Sequence, residues 1–378
     1  MTDYGKSSTE QKRIEQEVER LFAILGLNIQ TKTYKNYVIL DFEGHGYFCK
    51  QGFTKLPRAV STLNSGQPWL LFWLLHTLEL LQEPITQETK LAVIEYLKAC
   101  KCPKTGAFCG GPYQLPHLAP TYAAVSALMI LEMEEALKII DVEGIKNFII
   151  SMKHESILGA FRMHHQGESD MRAIYCAISV ASILGILDKE VTKDTPEFIA
   201  RCQTYEGGLG GEPFSEAHGG FTYCGLASLY LMGKTHLVDL EAMLEWCVSR
   251  QMEKEGGFNG RTNKLVDSCY SFWIGGCFPI LKETLGIPTK YSLYDNLALQ
   301  AYILVACQSP MGLFDKPGSS PDYYHTAYSL GGLSLAQHCT GTPEFVFKES
   351  ALELENNHFL FNVTSEKVKK AVNFFKNK

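Results

Sequence analysis

The chain has 378 residues, 46% of them hydrophobic, and a formal net charge of −6. A chain of this size buries a sizeable core without disulfides or oligomerisation, and its mixed, mildly acidic charge leaves no footprint for nucleic acid or an anionic membrane. The most apolar run, Pro68 to Leu75, is too short to span a bilayer and is followed at once by His76 and soon by Glu79.

In chain order, the polar start MTDYGKSSTEQKR lacks the apolar core of a signal peptide. The twelve cysteines are therefore expected as reduced thiols of a cytoplasmic protein, not as a disulfide frame. Residues 7–25 predict a helix, and the weakly patterned 26–60 an irregular segment packed on the body or on a partner. From Pro68, PWLLFWLLHTLELL predicts a helix buried on every side, and five similar runs follow: YAAVSALMILEM, YCAISVASILGIL, YCGLASLYLMG, YSFWIGGCFPIL and YSLGGLSLAQH. Between them lie amphipathic stretches such as VEGIKNFIISM, PEFIARCQ and LEAMLEWCVSRQM, apolar at i, i+3 and i+4. Residues 365–376 predict a last amphipathic helix.

A glycine turn precedes each of the last five buried runs: GAF (106–108), GAF (159–161), GGL (207–209), GGF (256–258) and GLF (312–314). From the end of each turn to Tyr122, Tyr175, Tyr223, Tyr270 and Tyr328 the distance is 14, 14, 14, 12 and 14 residues. A repeat of roughly 50 residues that holds its phase describes a closed array of like units. Each unit is one buried inner helix and one amphipathic outer helix, and no alternating strands of a propeller are visible. The expected fold is all-α, an α/α toroid of about six helix pairs with the glycine turns on one rim. Residues 1–60 form an N-terminal helix and lead-in, 61–345 the toroid, and 346–378 a C-terminal segment, in one domain overall.

The phase brings distant residues together. Three before Tyr270 is Asp267, three before Tyr328 is His325, and one before Tyr270 is Cys269. Taken singly, a D-x-C and a remote His carry no chemistry. Converging at the starts of neighbouring inner helices, they form a mixed ligand set suited to zinc, with one position left open as in catalytic sites. His117, Arg172, His218, Arg261 and Lys264 stand on the loops entering inner helices, where free N–H groups already favour anions such as a diphosphate. The alternative is a scatter of surface charges paired with the many Glu residues. Trp69, Trp73, Tyr122, Tyr175, Phe221, Trp273 and Tyr324 are either ordinary core or the wall of an apolar tunnel for a long hydrocarbon.

With metal, anion rim and tunnel in view, the chain resembles the β subunits of protein farnesyltransferases, members of the CaaX protein prenyltransferase β family, across residues 45–340. The resemblance rests on QPWLLFW (67–73), PHLAPTYAAV (116–125), EAHGGFTYCGLASL (216–229), GGFNGRTNKLVDSCYSFW (256–273) and FDKPGSSPDYYHTAYSLGGLSLAQH (314–338). It implies an obligate heterodimer with a helical-repeat prenyltransferase α subunit. The implied reaction transfers farnesyl from farnesyl diphosphate to the Cys thiol of C-terminal CaaX motifs, on proteins such as small GTPases.

The resemblance assigns Asp267, Cys269 and His325 to one Zn²⁺, and His218, Arg261, Lys264 and Tyr270 to the diphosphate. It assigns Arg172, Tyr175, Phe221, Cys224 and Trp273, with Trp69, to the isoprenoid wall. Trp69, Trp73 and Tyr324 would meet the aliphatic residues of the peptide, and His117 and Arg172 would lie near its carboxylate. Asp315 matches a carboxylate associated with Mg²⁺. Trp69, where type I geranylgeranyltransferases have a small residue, limits the tunnel to farnesyl length, and Tyr328 also matches the farnesyl pattern. The type I β subunit is the alternative. A non-catalytic toroid would have no need of an open metal position, and the DxDD and DDxxD motifs of terpene cyclases are missing. Phe221 departs from the family's Tyr, and Ser319 and Pro321 alter the loop before Asp322.

Overall fold

The computed structural model describes residues 6–348 and 353–377; residues 1–5 of the polar start, and 349–352 and 378 of the C-terminal segment, lie outside them. In chain order the helices are α1 (Lys6–Leu25), α2 (Phe42–Gly52), α3 (Gln67–Leu80), α4 (Gln87–Cys100), α5 (Leu118–Ile130), α6 (Glu134–Lys138), α7 (Val142–Ser151), α8 (Met171–Ile183) and α9 (Lys189–Thr192). They continue as α10 (Thr195–Arg201), α11 (Gly219–Leu231), α12 (Leu240–Val248), α13 (Tyr270–Trp273), α14 (Cys277–Leu285), α15 (Asn296–Ala301), α16 (Tyr323–His338) and α17 (Ser365–Lys376). Among the described residues there are isolated β-bridges but no strand.

Six helices build the inner wall. α3, α5, α8, α11, α13 and α16 touch in that order, and α16 returns to α3, so the ring closes. Their sequences carry no polar face, and nearly every residue of α5, α8 and α16 is buried. α4, α7, α10, α12 and α15 are the outer partners, and α2 packs on α3.

Two expectations change here. The lead-in is not irregular throughout: α2 forms within it, capped by the Asp41 side chain accepting the Gly44 N–H at 2.8 Å. Three glycines hide its helical pattern, and packing supplies the stability that propensity does not. The fifth inner helix, α13, is also not continuous. It stops at Trp273, passes through Gly275 and Gly276, and resumes as α14.

The repeat holds in the turns. Gly106, Gly159, Gly207, Gly256 and Gly312 have φ of +70°, +85°, +104°, +77° and +94°, a region open to glycine at little cost. Each turn pairs back on the end of the preceding outer helix through Lys101↔Phe108, Lys153↔Phe161, Gln203↔Leu209, Gln251↔Phe258 and Gln308↔Leu313. The bridging residue lies two after the glycine in four repeats and one after it in the fifth.

The aromatic ring inside the toroid follows the same register. Phe72, Tyr122, Tyr175, Tyr223, Phe272 and Tyr328 form a chain with successive centroids 6.0, 5.3, 5.4, 5.0 and 5.6 Å apart. Phe272, not Tyr270, takes the fifth place, which restores the spacing of 14 from Phe258. Below this ring the C-terminal segment closes the base. The hydroxyls of Tyr122, Tyr175 and Tyr223 donate to the carbonyls of Phe361, Leu360 and Phe359 at 2.9, 2.9 and 2.8 Å. α17 then packs on α5 and α8, its Lys367 and Lys370 paired with Glu132.

Candidate active site at the mouth of the inner ring

The inner helices begin at the open end, and the residue before each one fixes its first turn. His117 Nδ1 accepts the Ala119 N–H at 3.1 Å, Asp170 accepts from Arg172 at 2.8 Å, His218 Nδ1 from Gly220 at 3.1 Å, and Asp267 from Cys269 at 2.9 Å. These four are equivalent capping positions. Asp322 caps α16 through the N–H of His325 at 2.7 Å. Asp267 is thus a cap, whereas His325 lies three residues beyond one. The equivalence expected between them is not the repeat's own, and they meet because α13 and α16 are neighbours.

That approach is close. A Cβ on Gly332 of α16 would lie 2.4 Å from the carbonyl carbon of Ser271, so only glycine permits this contact. The result is a cluster in which one ligand atom each from Asp267, Cys269 and His325 lies within 4.8 Å of the others. His325 Nε2 is 3.3 Å from Asp267 Oδ1, and its Nδ1 is 2.7 Å from Asp322 Oδ2, which turns the other ring nitrogen toward the cluster. Burial opposes charge on His325, but the two carboxylates outweigh it and raise its pKa to about 9. Burial pushes the Cys269 thiol up, and the neighbouring Asp267 adds to this. Burial also opposes the Asp267 charge, yet bonds with His325 and Cys269 hold it below the usual carboxylate range. Oxygen, sulfur and nitrogen donors around a point of concentrated negative potential fit a borderline-soft divalent cation.

Beside this cluster lies a cavity of about 460 Å³. Trp69, Trp73, Arg172, Tyr175, His218, Phe221, Cys224, Tyr270, Trp273 and Tyr324 all line it, together with Tyr328, whereas Tyr122, also expected in the wall, does not. Trp273 donates its indole N–H to the Tyr324 hydroxyl at 2.9 Å and stacks on Tyr328 at 4.5 Å. Trp69 rests on Tyr122 of the aromatic ring at 5.5 Å. His117, Arg261 and Lys264 are not among the lining residues.

The cations of the rim are not equally free. Arg172 holds Asp170 at 2.6 Å and Arg261 holds Glu216 at 2.7 Å, whereas Lys264 is exposed and has no ion pair among the described residues. Part of the rim thus follows the alternative reading of charges paired with acids. Burial lowers the pKa of His218, and Arg261 adds to this; burial, then His164 and Arg172, lowers that of His117 to about 4. Both rings are therefore neutral near pH 7. Because His218 Nδ1 accepts a backbone N–H, its proton sits on Nε2, 3.0 Å from the Tyr270 hydroxyl. Tyr270 oxygen then accepts, and its own proton is left to point elsewhere.

Asp315 lies across the loop from α16. Its backbone carbonyl accepts from Ser268 N–H and from the Tyr302 hydroxyl, both at 2.8 Å, and its carboxylate is paired with Lys316. Sequence reasoning passed over Asp322, Asp170 and Cys176, the last in the cavity wall. The spacing D-x-x-H at Asp322 and His325 carried the signal for the first of these.

A family model described as the prenyltransferase alpha-alpha toroid domain matches residues 40–372. The protein farnesyltransferase subunit beta of Pisum sativum is 40% identical over 376 residues, covering 82% of this chain and 89% of that protein. The chain belongs to the protein farnesyltransferase β-subunit family. The Saccharomyces cerevisiae farnesyltransferase β subunit is 39% identical, covering 85% of this chain and 77% of its own length. The geranylgeranyl transferase type-1 subunit beta of Arabidopsis thaliana is 38% identical over a shorter stretch, 58% of this chain and 59% of that protein. The fold of Candida albicans protein geranylgeranyltransferase-I, solved with GGPP, superposes with a TM-score of 0.75 at 24% identity, covering 89% of this chain and 98% of that one. Farnesyltransferase β subunits are thus its relatives over most of their lengths, and the toroid is the shared frame.

Proposed function

We propose that this chain is the catalytic β subunit of a zinc-dependent protein farnesyltransferase. The observation that carries this reading is the oxygen, sulfur and nitrogen cluster of Asp267, Cys269 and His325 beside an aromatic cavity that Arg172 and His218 also line. Asp267, Cys269 and His325 would hold Zn²⁺, whose chemistry there is to keep the acceptor Cys of a CaaX protein as a thiolate near neutral pH. The chain's own residues do the rest. Trp69, Tyr175, Phe221, Cys224 and Trp273 enclose the isoprenoid and exclude water from the breaking C1–O bond. The sulfur attacks C1, that bond breaks, and its electrons leave on the diphosphate.

Tyr270 has a free hydroxyl proton, because its oxygen is already bonded to His218, and would donate it to the departing oxygen. His218, Arg261 and Lys264 would stabilise the charge that builds there. Trp73 and Tyr324, with Trp69, would receive the aliphatic residues of the peptide, and His117 and Arg172 would lie nearest its carboxylate. A single carboxylate does not make a magnesium site. Asp315, once released from Lys316, would help hold Mg²⁺ beside the diphosphate, where the ion would offset charge on the leaving group. The partner would be a prenyltransferase α subunit, the substrates CaaX proteins such as small GTPases, the compartment the cytoplasm, and residues 61–345 the catalytic body of a single domain.

The second reading, a type I geranylgeranyltransferase β subunit, is favoured by the 38% identity with that subunit in Arabidopsis thaliana. Trp69 in the cavity wall argues for the shorter chain. Co-expression with an α subunit, followed by transfer of each diphosphate to CaaX peptides with and without Mg²⁺, decides between them. Farnesyl transfer that depends on zinc is expected. Preferential geranylgeranyl transfer would move the chain to the type I group, and no transfer by a zinc-loaded heterodimer would overturn the reading.

A further inference from the structure

Tyr122 is not among the cavity's lining residues, yet it touches the one that ends it. Its ring lies 5.5 Å from Trp69 and 6.0 Å from Phe72, and it is 2% exposed. Its hydroxyl donates to the Phe361 carbonyl at 2.9 Å and lies 3.3 Å from the Tyr175 hydroxyl. The segment that supplies this carbonyl is itself clamped. Asn357 Nδ2 donates to Asn362 Oδ1 at 2.8 Å, and His76 Nε2 lies 3.1 Å from the same oxygen. His76 sits on α3, seven residues after Trp69, and stacks on Phe72 at 5.5 Å. The C-terminal segment therefore reaches α3 by two routes, directly through His76 and through Tyr122 onto Trp69.

We propose that the hydrogen bond from Tyr122 to Phe361 is a positioning contact that fixes how deep the cavity runs, and so how long a hydrocarbon it accepts, by holding Trp69 in place from behind. The argument is steric. A tilted aromatic pair at this separation shares one packing surface, so Trp69 cannot swing back unless Tyr122 moves. Tyr122 cannot move while its hydroxyl is bound to a buried carbonyl, because separating them leaves two polar groups unpaired in an apolar interior. Without that oxygen the ring is free to shift toward the base, and Trp69 follows. A hydroxyl that only satisfied a stray carbonyl would also cost stability when lost, but would not change which chain length enters.

The inference rests on the reading of this cavity as an isoprenoid site, and the experiment separates the two. The heterodimer carrying Tyr122→Phe is compared with its parent for kcat/KM on farnesyl and geranylgeranyl diphosphate, with one CaaX peptide. The ratio should shift toward geranylgeranyl by about tenfold, mainly through KM, while farnesyl transfer stays within about threefold. In a Trp69→Ala background, where the blocking ring is gone, Tyr122→Phe should leave the ratio unchanged. Phe361→Leu, which disturbs the carbonyl's segment but leaves Tyr122 intact, should shift the ratio in the same direction and covers the case of an unstable first variant. A lowered Tm with the ratio within about twofold of the parent overturns the inference, as does an equal shift in the Trp69→Ala background. If the parent transfers neither diphosphate, the functional reading itself fails and takes this inference with it.

Discussion

Ser329 donates its hydroxyl proton to Ser268 at 2.8 Å, and Ser268 donates in turn to the carbonyl of Phe314 at 2.9 Å. Both serines are fully buried. Ser268 stands between Asp267 and Cys269, so this relay ties α16 to the loop that presents two of the three candidate ligands. Ser329→Ala should leave zinc bound about tenfold more weakly, and Asp322→Ala, which releases His325 Nδ1, should do so by about 10–100-fold. Competition with a chromogenic chelator reads both directly, without reference to turnover. Unchanged affinity in both variants would mean the cluster is held by the helices alone.

The rim makes a prediction of the opposite sign for two of its residues. Arg261 is paired with Glu216 and Lys264 with no acid among the described residues, so an arriving diphosphate must first break the Arg261 pair. Glu216→Gln should strengthen farnesyl diphosphate binding by about threefold, in keeping with the small worth of an exposed pair. Lys264→Ala should weaken it by about tenfold, the order of one charge-assisted bond. Fluorescence titration with a labelled diphosphate analogue distinguishes the two, and equal weakening in both would remove this account of the rim.

Strain sits at an equivalent place in each rim loop. Tyr113, Gln166, Phe214, Asn263 and Gly318 each lie four residues before a cap and have φ of +65°, +58°, +71°, +60° and +95°. Glycine and asparagine accept this region, and a bulky side chain does so at a cost of roughly 1–2 kcal/mol. Tyr113 and Phe214 are fully exposed, at 106% and 105%, so they recover none of it by burial. Tyr113→Asn and Phe214→Asn should each raise stability by about 0.5–1 kcal/mol. Urea unfolding measures this, and a loss of stability would show that the rings make contacts worth more than the strain.

Acid should act through two histidines. Burial and neighbouring His164 and Arg172 lower the pKa of His117 to about 4, and burial does the same to His358, from an ordinary 6.5. A base whose folded pKa lies below its unfolded value binds fewer protons when folded. Stability is therefore undiminished above about pH 6.5 and falls as the pH drops from there toward 4. His117→Asn, which keeps the capping acceptor, and His358→Asn should each flatten that fall while leaving the midpoint at pH 7.5 within about 2 °C. An unchanged slope between pH 6.5 and 4.5 in both variants would assign acid lability to other groups.

Much of this was legible in the chain, and the misses have identifiable causes. Buried runs without a polar face marked the inner helices, and the predicted last helix at 365–376 is α17 as observed. The fourth repeat was counted to Tyr270 because an aromatic two residues before Phe272 offered itself first; a constant spacing of 14 selects Phe272. The fifth turn bridges one residue sooner after its glycine, so Tyr328 reaches the ring from a shifted register. Asp267, Cys269 and His325 come together all the same, since a miscount of one or two residues at a helix start still lands on the same end of the ring. α2 was missed because its stability comes from contact with α3: a Cβ on Gly52 would lie 2.7 Å from Leu74 Cδ2. Pairing of the rim charges with acids was one of two open readings, but that Arg172 and Arg261 would be paired and Lys264, among the described residues, would not was invisible, because which acid a flexible side chain meets is decided by loop geometry that no pattern encodes.

The closure of the ring by α16 bears on how the molecule is made. The last inner helix to be synthesised touches the first, so nearly the whole chain must exist before the wall is complete. Until then one flank of α3 and one of α13 stand bare, apolar and without a neighbour, a state that invites aggregation. The same step brings His325 to Asp267 and Cys269. An unfinished polypeptide therefore has neither a sealed wall nor the complete Asp267, Cys269 and His325 cluster, and a cation captured there would mark the moment when the newborn subunit is finished.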